Sequence, residues 1–203
     1  MLYIILTIFF ILWPMSLQLV RYHQGLLSTI FPGNPLPDLG HYYTKKLYRK
    51  IKKNVLLDQW LQWVPYSLIG LVFLYQIVFY NNSVNIFHFL LYLACIQSFR
   101  MLCFNVTILP DISGTSHLKS FWQSFFTGGC NDLIFSGHTA YVYGTFWYLY
   151  KMHEISLLVY LYGSLFTLGY GLTLVILKKH YTIDILCAFS ACHLMFDLCN
   201  TIS

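Results

Sequence analysis

The sequence predicts an all-α, polytopic membrane protein with six transmembrane helices in a single domain, and three observations predict it. Of its 203 residues, 58% are hydrophobic and 9% are charged, against roughly 25% charged in soluble domains. Apolar runs recur at about 2–20, 60–80, 84–108, 134–150, 155–177 and 182–202, and a ~30 Å hydrocarbon core takes about 20 helical residues to cross. Polar and basic residues collect mainly in the connections between these runs.

The first run has no basic region before it and no small-residue cleavage site after it, so it is read as a retained anchor, with a cleaved leader as the alternative. The connection that follows carries Lys45, Lys46, Arg49, Lys50, Lys52 and Lys53 around Leu47, Ile51 and Val55. That spacing describes an amphipathic helix lying in the interface, where its cations attract anionic head groups. A short basic run flanked by spans argues against nucleic-acid binding. The second run carries no charged residue. The third carries Arg100 near its end, and the fourth, the shortest, begins inside GGCNDLIFSGHT at 128–139. The fifth ends at Lys178 and Lys179, and the sixth begins within KKHYTIDIL at 179–187.

If the fourth and fifth runs both cross, His138 at the start of one and His180 at the start of the sixth lie on the same side of the bilayer. Arg100, the loop 109–133 and the long connection 21–59 fall on that side too. Eleven of the twelve Lys and Arg residues do so, and Lys151 alone lies opposite. By the positive-inside rule that face is cytosolic, although cations that bind lipid phosphate produce the same asymmetry.

His138, His180 and Asp184 therefore meet where hydrocarbon begins, and ionisable residues placed there are functional candidates. Residues 180 and 184 stand about one helical turn apart, so Asp184 is expected to hold one nitrogen of His180 from the same helix face. The carboxylate then fixes the tautomer, bares the other nitrogen and stabilises the charge that develops as the ring attacks phosphorus. His180 is the nucleophile in this reading. His138 gives a proton to the departing alcohol and takes one from the incoming acceptor. Ser136, Gly137 and Thr139 surround His138 as oxyanion donors at a helix start, Arg100 is a phosphate clamp, and Lys178 and Lys179 support it. Asp132 either steers His138, meets a quaternary ammonium head group or caps a helix.

Five of the six cysteines lie within runs, where free Cys behaves as a small hydrophobe, and no Cys/His spacing matches a zinc site. No Gly-rich loop with a following Lys is present to cradle a nucleotide. The expectation is chemistry with no metal and no cofactor. His193 and Asp197, four apart in the sixth run, are expected to pair inside the bundle.

Four blocks resemble the sphingomyelin synthase family, within the wider lipid phosphate phosphatase superfamily: PLPD at 35–38, FRMLCFNVTILP at 99–110, CNDLIFSGHT at 130–139 and HYTID at 180–184. Together they span roughly residues 30–200, so the whole chain, 1–203, is taken as one transmembrane catalytic domain. The resemblance implies a six-span fold that moves phosphocholine or phosphoethanolamine from a glycerophospholipid donor to a lipid alcohol acceptor, ceramide first, releasing diacylglycerol. It makes His138, His180 and Asp184 the catalytic triad. It also implies an integral protein of the ER, Golgi or plasma membrane with a lumenal site, opposite to the charge asymmetry, and homo-oligomers are compatible with it. Asn131 stands where the family has glycine, a change in loop geometry.

Other readings remain. A related family, phosphatidylcholine:diacylglycerol cholinephosphotransferase, is similar around HYTID and the downstream Phe196-Asp197, which makes diacylglycerol a second acceptor. A lipid phosphate phosphatase would use water, but the superfamily's phosphatases carry an Arg six residues before the second histidine, where this chain has Leu174. A non-enzymatic lipid-binding protein of the same fold needs no tautomer-fixing carboxylate, and a channel or transporter would carry polar residues through the bilayer midplane.

Overall fold

A computed structural model describes residues 37–57, 83–106 and 135–202, together with single helical positions at 15, 60, 61 and 67. Among the described residues the regular structure is helical throughout: α1 Leu39–Lys52, α2 Ser83–Val106, α3 Gly137–Lys151, α4 Leu157–Ile176 and α5 Thr182–Ile202. Four of the six apolar runs thus coincide with α2–α5. The other two, at 2–20 and 60–80, lie outside the described residues apart from those single positions, as does the loop 109–133.

Membrane-crossing length is not shared equally. By length and composition, α4 and the Thr182–Thr201 stretch of α5 can cross a bilayer, and the 24-residue α2 contains the apolar stretch Phe87–Cys103. Helix α3 has 15 residues; at 1.5 Å per residue it reaches about 22 Å, short of a ~30 Å core. Among the described residues, α4 and α5 are the two helices that meet both criteria.

Helix α3 sits at the centre, packed against α4 and α5, and α2 closes on α3 and α5 while α1 lies against α4. The core between α2, α3 and α5 is built from Tyr92, Ile96, Tyr148, Ala188, Cys192 and Phe196. Polar side chains are buried within the bundle at Gln97, Arg100, Thr139, Thr145, Thr167 and Asp184, while Leu158, Leu161, Leu165 and Leu172 of α4 are exposed. The row of exposed leucines on α4 is a larger apolar surface than a helix facing water ordinarily presents and fits a helix facing hydrocarbon.

Both turns flanking α4 use the same device. After α3, Glu154 N–H bonds Leu149 O and His153 N–H bonds Tyr150 O; after α4, Lys179 N–H bonds Leu174 O and Lys178 N–H bonds Val175 O. These pairs are Schellman closures, with His153 (φ 58°) and Lys178 (φ 56°) in the left-handed region, a conformation that costs L residues roughly 1–2 kcal/mol. The second turn reverses the chain within a few residues and delivers His180 to the start of α5.

Helix α1 is amphipathic, and of the apolar stripe read from sequence only Ile51 turns inward. Its inward face is Gly40, His41, Thr44, Tyr48 and Ile51, whereas Leu47 and Val55 are exposed. The helix docks on α4 by a mixed polar and aromatic face, and Lys178 Nζ rests 5.2 Å from the Tyr48 ring centroid, so tertiary contacts rather than the Leu47–Ile51–Val55 pattern set its rotation.

Candidate active site

Ser136 is the N-cap of α3, its hydroxyl accepting the Thr139 N–H at 3.3 Å and meeting Thr139 Oγ1 at 2.9 Å. Capping of this kind satisfies a backbone donor that the helix itself leaves orphaned. It places Gly137 and His138 in the first turn, at the positive end of the helix dipole. The two hydroxyls expected to contact substrate are thus engaged with each other and with the helix start, and both residues are fully buried.

Asp184 lies in the first turn of α5, but His180 precedes that helix, in the bend after Lys179. The expectation of one shared helix face is corrected accordingly: a turn, not the helical repeat, brings the pair together. His180 Nδ1–H donates to Asp184 Oδ2 at 3.0 Å, and the Tyr181 N–H donates to the same oxygen at 2.8 Å. The carboxylate is a helix cap and a histidine anchor at once, fully buried beneath a His180 side chain that is 7% exposed. With Nδ1 carrying the proton, Nε2 of His180 holds a lone pair.

The His138 and His180 rings lie with centroids 6.4 Å apart and planes inclined at 65°. A main-chain bond ties the segments that carry them, Ser136 N–H to Asp184 O at 3.2 Å. Histidines from two distant parts of the chain are thus brought together.

Arg100 comes from α2 and is buried at 6% exposure. Its guanidinium lies against the backbone of Gly137: a Cβ there would fall 2.8 Å from Arg100 Cζ and 2.9 Å from Nη1. Arg100 also hydrogen-bonds the Tyr141 hydroxyl, which itself donates to Gln97 Oε1 at 2.5 Å. His138 stands in the combined field of His180, Arg100 and Lys179. Three positive or potentially positive groups around an imidazole, beside the N-termini of α3 and α5, make an environment suited to a phosphate anion. Asp132 lies outside the described residues. Among the described residues, no three His, Cys, Asp or Glu side chains are grouped to hold a metal ion.

Residues missed by the sequence reading are Gln97, Tyr141, Asp38 and His41. A glutamine within an apolar run, one turn before Arg100, was the available signal for the first, since buried amides in such runs need partners. Asp38, already within PLPD, accepts hydrogen bonds from Thr182 and from His41, and His41 reaches the His180 carbonyl. Burial raises the Asp38 carboxyl, but the Thr182 and His41 hydrogen bonds and the nearby His41 imidazole outweigh it and hold it below its ordinary value. His193 bonds the Tyr143 hydroxyl at 2.8 Å, and Asp197, though exposed, acts on it by charge, so the pair expected in the sixth run is shared with a tyrosine.

The segment that holds the two histidines is the part of the chain with a recognisable similarity. Residues 129–202 match the family model described as PAP2 superfamily C-terminal. The match covers a little over a third of the chain and contains α3–α5 with His138, His180 and Asp184, while Arg100 and Asp38 lie upstream of it. PAP2 superfamily members are phosphatases and phosphotransferases acting on lipids, and the superfamily includes the sphingomyelin synthases. No curated protein and no solved structure matches the chain at a significant level.

Proposed function

We propose that the protein is a membrane-embedded phospho-headgroup transferase that moves phosphocholine or phosphoethanolamine from a glycerophospholipid to a lipid alcohol, with ceramide as the preferred acceptor. The observation that carries this reading is the His138–His180 pair at 6.4 Å, with His180 anchored on Asp184. His180 Nε2 attacks the donor phosphorus, the bond from phosphorus to the diacylglycerol oxygen breaks, and His138 gives that oxygen a proton. Asp184 stabilises the charged ring of the phosphohistidine. The acceptor hydroxyl then loses its proton to His138 as its oxygen attacks phosphorus, which returns His180 to its starting state. Arg100 and Lys179 stabilise charge on the phosphoryl oxygens through both steps.

A hydrolase would use the same residues with water as acceptor. Leu174 supports the transferase: where the superfamily's phosphatases carry an arginine, this chain places a buried leucine among Val142, Tyr170, Val175 and Ile185. Transfer to diacylglycerol, which exchanges head groups between glycerolipids, differs from transfer to ceramide in the acceptor alone.

The test is reconstitution in vesicles with head-group-labelled phosphatidylcholine or phosphatidylethanolamine and ceramide, diacylglycerol or no lipid alcohol. The expected result is labelled sphingolipid, with an acid-labile, alkali-stable label on the protein before acceptor is added. Both disappear in folded His180→Ala, and His138→Ala abolishes turnover. Release of water-soluble head-group phosphate as the sole product identifies a hydrolase and refutes the transferase; lipid bound but left intact identifies a binding protein.

A further inference from the structure

The turn that carries His180 is held from outside by α1. His180 lies after the left-handed Lys178 and before the first residue of α5, so the helical ladder does not secure its main chain. Its carbonyl accepts a hydrogen bond from His41 Nε2–H at 2.9 Å, and the His41 ring leans on Tyr181 with centroids 5.5 Å apart. Two residues on, the Thr182 N–H, a first-turn donor with no partner inside α5, donates to Asp38 Oδ2 at 2.8 Å. The Thr182 hydroxyl donates to Asp38 Oδ1 at 2.9 Å, and the same oxygen caps α1 by accepting the His41 N–H at 3.0 Å. One carboxylate therefore closes the start of two helices 144 residues apart in sequence.

Packing at residue 40 is built for this approach. A Cβ on Gly40 would overlap Thr182 Oγ1 and lie 2.7 Å from Val175 Cγ1, so α1 reaches the start of α5 because residue 40 has no side chain. None of the four hydrogen bonds involves the His180 imidazole: two grip the backbone on either side of Tyr181, one holds the Thr182 side chain and one caps α1, while Asp184 orients the ring.

We infer that Asp38 and His41 are positioning residues for the His180 nucleophile, fixing the main chain at 180–182 so that its ring faces His138. The inference rests on the phosphohistidine reading for its effect on rate, and on geometry alone for its effect on the turn. A misplacement of about 1 Å is enough to slow an oriented reaction by on the order of 100-fold.

Three variants separate the contributions. His41→Phe keeps a ring against Tyr181 and removes the donor; His41→Gln restores an N–H donor at similar reach. Asp38→Asn keeps a good N-cap for α1 but turns an amide donor toward Thr182. In proteoliposomes, with rates normalised to folded protein, His41→Phe and Asp38→Asn are expected to lower kcat by roughly 10- to 100-fold with little change in KM for the donor lipid, and His41→Gln to recover most of the loss. Hydrogen exchange over 177–190 gives a readout independent of turnover: exchange at Thr182 accelerates in Asp38→Asn while α3 is unchanged. Unchanged kcat per folded molecule in both His41→Phe and Asp38→Asn overturns the inference, and so does unchanged exchange at Thr182. A wild-type protein that transfers its head group to no acceptor, water included, overturns the phosphohistidine reading instead, and the exchange measurement then decides whether the clamp exists.

Discussion

Adding one methyl group at Gly137 should separate catalysis from stability. The new Cβ would fall 2.8 Å from Arg100 Cζ, 2.9 Å from Nη1 and 3.0 Å from Nε, where ordinary contact begins at 3.4 Å. The guanidinium must therefore retreat by about 0.6 Å, a cheap motion for the end of a flexible side chain but one that moves a charge-bearing fork aimed at phosphate. Position 137 is helical, and replacing glycine by alanine within a helix stabilises it by up to about 1 kcal/mol. Gly137→Ala is thus expected to keep or raise Tm while lowering kcat/KM by roughly 10- to 100-fold, which corresponds to about 1.4–2.7 kcal/mol of lost transition-state stabilisation. The assay is labelled head-group transfer in vesicles beside a thermal melt in the same detergent. Wild-type kcat/KM in Gly137→Ala would show that the guanidinium position does not matter; parallel losses of Tm and activity would show that residue 137 is a packing position instead.

Three further outcomes follow from the same geometry. Asp184→Asn leaves the shape of the site but removes the acceptor that fixes the His180 tautomer, so kcat should fall by about 10³- to 10⁴-fold, read in the transfer assay. Gly163→Ala drives a Cβ into the Phe146 ring between α3 and α4; overpacking of this kind costs about 1–3 kcal/mol, seen as a lower Tm with kcat per folded molecule retained. Asp38 is held below its ordinary 3.8 in the folded protein, so its contribution is complete above that value and is lost as pH falls through the lower folded value. The stability difference between wild type and Asp38→Asn, measured by denaturant titration, should accordingly shrink below about pH 3.8 and be constant from pH 5 to 7.

The geometry of the candidate site was legible in the sequence where it depended on residue type at short range. His180 and Asp184 are four apart, and four apart is close enough for an imidazole and a carboxylate to meet whether the intervening chain is a helix or a turn. The pairing was therefore readable even though the local structure is not the helix face inferred. The approach of His138 to His180 was expected from an alternation of spans; in the structure it follows from the packing of α3 on α5 and the Ser136–Asp184 main-chain bond. What local pattern could not show was side-chain traffic between distant segments. The Asp38–Thr182 contact bridges 144 positions, and the rotation of α1 follows from its seat on α4 rather than from its own apolar spacing. The 15-residue length of α3 has a legible cause in retrospect, since Ser136 and Thr139 form a capping pair that starts the helix three residues inside the apolar run.

The bond from Ser136 N–H to Asp184 O has a consequence for how such a protein diversifies. It joins the two histidine-bearing segments through peptide groups alone, so no substitution other than proline at 136 deletes either partner. Mutational drift can then rewrite the side chains around the pair without altering its separation. A new taste in acceptors would arise in the parts of the chain that touch lipid tails and head groups, while the spacing of the two rings is inherited unchanged.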